Sequence, residues 1–131
     1  MSFGETTSIE IERVATAIVD SCVTVHKRFG PGLLESVYKA CLAAELRKRG
    51  FTVLREVMVP IHYDGIELEE GFRLDLLVND LVVVEVKSVE KIIPVFDAQV
   101  LTHLKLTNKR LGFLINFNVL LIKDGIKRII N

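Results

Sequence analysis

The sequence predicts one α/β domain spanning residues 1–131, in the order α, α, β, β, β, α, β with a terminal strand or two beyond. Three observations predict it. Apolar residues recur at helical spacing in residues 8–29 and 95–107, and residues 33–49 are apolar around much of a helix circumference. Val- and Leu-rich runs bounded by Gly, Asn and Asp fill the stretches between them. With 131 residues, half of them apolar, the chain can bury a core without disulfide or metal staples.

The first helix is set by Ile11, Val14, Ile18, Cys22, Val25 and Phe29, with Ser8 as its expected N-cap. Gly30, Pro31 and Gly32 stop it, because proline lacks an amide donor and glycine accepts turn conformations. The second helix, Leu33 to Arg49, is apolar around much of its circumference and ends at Gly50 behind Arg47, Lys48 and Arg49. It carries Glu35 and Tyr38 one turn apart. A strand from Phe51 to Tyr63 turns at Asp64 and Gly65, with Glu67, Glu69 and Glu70 expected to be exposed. Two further strands occupy Phe72 to Lys87, and a loop runs from Ser88 to Pro94. Val95 to Thr107 is helical, with Gln99 and His103 on one stripe. Leu111 to Asn116 is a strand, and Val119 to Ile130 reads as a terminal hairpin turning at Asp124 and Gly125.

Composition excludes several function classes. No apolar run reaches the roughly 20 residues of a membrane span, and the acidic N-terminus has no signal-peptide pattern, so a cytoplasmic protein with no membrane partner is expected. Cys22 and Cys41 lack CxxC spacing and read as buried reduced thiols. Net charge is zero, which argues against tight holding of nucleic acid by bulk charge. The distribution is uneven: residues 1–87 carry 10 basic against 14 acidic side chains, and residues 88–131 carry 7 against 3. A phosphate-facing surface would draw on the second part, and a merely solvated face accounts for the same lysines.

The segment FRLDLLVNDLVVVEVKS, residues 72–88, places Asp75, Glu85 and Lys87 in an apolar hairpin. A two-residue loop at Asn79 and Asp80 would set Asp75 opposite Val84. A three-residue loop, Asn79 to Leu81, sets it opposite Glu85. Only the second leaves an unbroken apolar face of Phe72, Leu74, Leu76, Val78, Val82, Val84 and Val86, with Asp75, Glu85 and Lys87 on the other. That register is therefore expected, since burying unpaired charge costs several kcal/mol. Two adjacent carboxylates repel unless a cation joins them. Oxygen ligands without Cys or His point to Mg²⁺ or Mn²⁺, with Lys87 placed to assist a water or steady a phosphate. A structural Asp–Lys or Glu–Lys ion pair at a sheet edge is the alternative, and spacing alone leaves both open.

The blocks GPGLLESVYKACLAAELRKRG (with Gly32, Glu35 and Tyr38), RLDLLV, VVEVKS, AQVLTHLKLT and LGFLINF together resemble the GxxExxY protein family of the PD-(D/E)xK nuclease-like superfamily, over about residues 10–131. The resemblance implies a restriction-endonuclease-like core, a mixed central β-sheet flanked by helices. It implies Asp75 and Glu85 as metal-binding acids, the Val86 carbonyl as a further ligand, Lys87 as the catalytic lysine and Glu35 as an upstream acid near the metal. It also implies Gln99 as a contact to Lys87 or phosphate. Leu74 stands where a proline often precedes the first acid, and His103 where related nucleases often have a tyrosine that touches substrate. His26 matches the family pattern and would reach the site mouth or cap a carbonyl; Tyr38 would reach substrate or sit in the core. The expected activity is Mg²⁺- or Mn²⁺-dependent hydrolysis of DNA or RNA. The other reading is a catalytically silent module of the same fold that binds nucleic acid or a protein. Homodimer formation through the apolar C-terminal strands is a further expectation.

Overall fold

In the computed structural model, residues 3–131 are described, with side-chain detail from Ile9 onward. Two helices, α1 (Phe3–Phe29) and α2 (Glu35–Lys48), precede β1 (Val53–Tyr63), β2 (Ile66–Val78) and β3 (Val82–Lys87). Helix α3 (Pro94–Thr107), β4 (Leu111–Asn116), a 3₁₀ turn at Ile122–Asp124 and β5 (Ile126–Ile130) complete the order. The five strands form one mixed sheet in the order β1-β2-β3-β4-β5, with β3 and β4 parallel across the α3 crossover and every other pair antiparallel. The α/β order read from the sequence holds.

Alternation along the central strands builds two cores. Val82, Val84, Val86, Leu111, Phe113 and Ile115 face α1 and α2, packing on Val14, Ile18, Cys22, Leu42 and Leu46. Val83 and Leu114 face the opposite way and pack with Val100 and Leu104 of α3. Gly112 lets α3 come close, because a Cβ there would stand 2.9 Å from Val100 Cγ1.

The register of β2 and β3 is the expected one: Leu76 pairs with Val84, Leu77 with Val83 and Val78 with Val82, around a loop of Asn79, Asp80 and Leu81. Asn79 and Asp80 take φ of 50° and 56°, left-handed values that these two residue types tolerate. The unbroken apolar face does not form. Phe72 and Leu74 pack in the α3 cluster, whereas Leu76 and Val78 belong to the α1/α2 cluster. Opposite Asp75, between the pairs Arg55↔Leu76 and Val57↔Leu74, Glu56 adopts φ of 55°. That conformation lies outside the β region and breaks the alternation there.

Three other expectations are corrected at the ends of elements. Helix α1 begins upstream of Ser8, which therefore lies inside it, and Phe29 is exposed. In α2 the apolar Leu33, Leu34 and Val37 near the start are exposed, and the buried face is Tyr38, Lys39, Leu42, Ala43 and Leu46. The terminal hairpin is a single strand, β5, paired with β4. Asn116 ends β4 by turning its side chain onto Val89 and the Asn118 amide, and His26 Nε2 donates to the Val119 carbonyl at 2.8 Å. Those bonds hold the 117–121 segment out of the sheet. Cys22 is buried, which pushes its thiol pKa up, and Cys41 is half-buried; both are free. Among the described residues no helix is long and apolar enough to cross a membrane.

Candidate active site

The site lies where β2 and β3 stop pairing. Beyond Leu76↔Val84 the next residues are Asp75 and Glu85, and a side chain takes over from the ladder: the Val86 N–H donates to Asp75 Oδ2 at 2.9 Å. Asp75 is buried, and its other oxygen, Oδ1, accepts from Lys39 Nζ of α2 at 3.1 Å. The carboxylate is thus fixed from the β3 backbone on one side and from α2 on the other.

Glu85 points to the α3 side of β3. Its Oε1 is 3.8 Å from Lys87 Nζ, while its buried Oε2 has no hydrogen-bond partner. Burial, then the neighbouring Asp75 charge, push its pKa up to about 7, against the pull of Lys87. Glu35 adds to that push from the first turn of α2, where it is half-buried. The Lys87 ammonium is largely buried and lies 4.4 Å above the Phe96 ring of α3, a cation–π contact.

Other candidates take different places. Gln99 is exposed on α3, and it is Phe96, one turn earlier, that meets Lys87. His103 stacks on Phe72 with ring centroids 4.5 Å apart and its Nδ1 buried without a partner; burial lowers its pKa, and the Asp75 charge opposes that shift. It flanks the carboxylates from α3. Tyr38 is fully buried against Phe117, its hydroxyl donating to the Gly30 carbonyl and accepting from the Leu33 N–H. It pins the turn that launches α2, in which Gly30 and Gly32 take φ of 65° and 106°, and so positions Glu35 from a distance. His26 is buried and bound to the Val119 carbonyl as a carbonyl-capping histidine.

Sequence reasoning missed Lys39 and Glu56. Lys39 Nζ bridges Asp75 Oδ1 and Glu56 Oε1, the latter at 3.2 Å, and Glu56 Oε2 accepts from Arg73 at 3.0 Å. Burial works against the Lys39 charge, but the two carboxylates outweigh it and hold its pKa above the usual value. Lys39 follows Glu35 by four residues, so it shares that helix face, and this spacing was the available signal.

A family model described as PD-(D/E)XK nuclease superfamily matches residues 12–129, a span that contains every group described above. The chain belongs to the PD-(D/E)XK nuclease superfamily. No match to a curated protein or to a solved structure was found. The matched span includes Asp75, Glu85 and Lys87, the two acids and the lysine expected from the sequence. Among the described residues, no three His, Cys, Asp or Glu side chains close into a ready-made metal cage. The donor set is a carboxylate pair, one of whose oxygens is buried and unpartnered. That fits a hard divalent ion that retains waters and takes one or two carboxylates, as Mg²⁺ does.

Proposed function

We propose that this protein is a metal-dependent nuclease of the GxxExxY type, cleaving phosphodiester bonds in DNA or RNA. The observation that supports this best is the pairing of buried Asp75 with half-buried Glu85, with Lys87 3.8 Å from the Glu85 carboxylate. Asp75 and Glu85 would hold Mg²⁺ or Mn²⁺, with the Val86 carbonyl and, through water, Glu35 as further donors. When bound, the ion would supply Lewis acidity to a phosphate oxygen and a lowered pKa to a coordinated water. The protein's own residues do the rest. The Val86 amide keeps Asp75 aimed, and Lys87, steadied by Phe96, presents fixed positive charge where negative charge builds on the phosphoryl group. Glu85 would hold the cation as its carboxylate, so the burial that favours its protonated form would tie cation binding to pH. Gln99, exposed on α3, and His103 beside Asp75 would meet substrate.

Incubation of the purified protein with labelled single- and double-stranded DNA and RNA, with Mg²⁺ or Mn²⁺, tests this reading. Wild type is expected to cleave at least one of these substrates, and Asp75→Asn and Lys87→Ala to lose cleavage by two orders of magnitude or more, on the order of the loss of a charge stabiliser. Cleavage by Lys87→Ala equal to wild type refutes the assignment.

A further inference from the structure

Among the described residues, the Lys39 ammonium is the cation paired with Asp75, and it is buried, with 7% of its side chain exposed. A buried ammonium must keep a partner at all times, since an unpaired one is costly. Lys39 has two. Asp75 belongs to the carboxylate pair, and Glu56 does not: it sits across β1 with 42% of its side chain exposed, its second oxygen held by Arg73. Glu56 is also one of the few non-glycine residues here with left-handed backbone, at φ of 55°. Strain of that kind inside a strand persists where the surroundings enforce it and points to a use for the side chain it aims. Asp75, for its part, keeps one oxygen anchored without Lys39, because the Val86 N–H holds Oδ2.

From this arrangement we propose that Lys39 is the site's resident counter-ion. It neutralises Asp75 while no metal is bound and withdraws onto Glu56 when a divalent cation joins Asp75 and Glu85. The inference rests on the metal-site reading above and adds to it an internal competitor: Lys39 stabilises the metal-free fold and sets how tightly the cation is held. Glu35 and Lys39, one turn apart on α2, then bring an acid and a cation to the same carboxylates with opposite effects on metal affinity.

Mn²⁺ binding, followed by calorimetry and by the loss of the free-ion electron paramagnetic resonance signal, tests the proposal without reference to cleavage. Lys39→Met keeps an unbranched stem and removes the charge. It is expected to lower the melting temperature of the chelator-treated protein, to tighten Mn²⁺ binding on the order of tenfold through lost like-charge repulsion, and to show a larger Mn²⁺-induced rise in melting temperature than wild type. Glu56→Gln takes away the place to which Lys39 withdraws and is expected to weaken Mn²⁺ binding severalfold. The two variants thus move affinity in opposite directions. Unchanged or weaker binding in Lys39→Met, or unchanged or tighter binding in Glu56→Gln, overturns the proposal. If Lys39→Met does not fold, Glu56→Gln decides alone. Wild type that binds no Mn²⁺, or binds it as well after Asp75→Asn, overturns the metal-site reading itself and this inference with it.

Discussion

Replacing Glu85 by Gln removes a carboxylate whose ionisation the fold opposes. In the folded protein its pKa is raised from 4.5 to about 7, by burial first and by Asp75 second. The folded state therefore holds this proton more tightly than the unfolded chain does. The group's contribution to stability is complete below pH 4.5 and is lost as pH rises through about 7. One pKa unit corresponds to about 1.4 kcal/mol, so the loss approaches about 3 kcal/mol by pH 8. Gln has nearly the same shape and never ionises. In urea denaturation with a chelator present, Glu85→Gln minus wild type should therefore grow by about 3 kcal/mol in the variant's favour between pH 4.5 and pH 8.

Taking the difference matters because other carboxylates run the opposite way. Arg128 beside Glu12, Arg49 beside Glu45 and Lys39 beside Glu56 hold those carboxyls below the usual range, so their contributions are lost as pH falls. They are common to both proteins and cancel. Any hydrogen bond that the new amide makes to Asp75 adds an offset and not a slope. A flat difference across that pH range, or one growing in favour of wild type, would refute the placement of Glu85 beside Asp75 in a desolvated pocket. With saturating Mn²⁺ the ordering at pH 8 should reverse, because only wild type retains the second acid.

Tyr38→Phe leaves the stacking on Phe117 but removes the hydroxyl that bridges Gly30 and Leu33. It should cost about 1–3 kcal/mol by thermal or urea unfolding and lower cleavage by way of a loosened Glu35. His26→Ala should cost about 1 kcal/mol, since the half-buried Val119 carbonyl loses its donor, with Mn²⁺ affinity unchanged in the same calorimetric assay. Phe96→Leu keeps apolar volume under Lys87 and removes the π face, so the cleavage rate should fall while melting temperature moves little; the loss of contact corresponds to about 0.5–2 kcal/mol. Cys22→Ser places an unpartnered hydroxyl in the α1/α2 core and should destabilise by about 1–3 kcal/mol, read by the same unfolding curves.

Much of the architecture could be read from the order of residues because periodicity and turn chemistry agreed. The β2–β3 register followed from apolar alternation on β3 and from Asn79 and Asp80, two residues that accept left-handed backbone; Asn79 also binds Thr52 through its amide and side chain. The terminal hairpin misled for the same reason: Val119 to Ile130 has strand-like composition, but tertiary bonds decide its path. The Asn116 side chain, the His26 contact and Gly125, whose Cβ would lie 2.0 Å from the Asn116 carbonyl oxygen, steer the chain into a 3₁₀ turn.

At the candidate site, Asp75, Glu85 and Lys87 stand out in the sequence because charges in an apolar hairpin violate the pattern around them. Lys39 violates nothing local. On a helix that carries Glu35 one turn earlier it reads as half of a surface ion pair. Its burial is decided by Asp75, 36 residues away, and by Glu56, whose left-handed backbone has no signature in its residue type. The break in alternation at Glu56 has the same origin. By turning Phe72 and Leu74 toward α3 while Leu76 stays with α1 and α2, it leaves Asp75 at the crossing point, within reach of Lys39 from one layer and of the Glu85 neighbourhood from the other. A strictly alternating β2 would have put Asp75 wholly on the α3 side, out of reach of α2. The irregularity that the sequence hides is therefore what brings the two helical layers to one carboxylate.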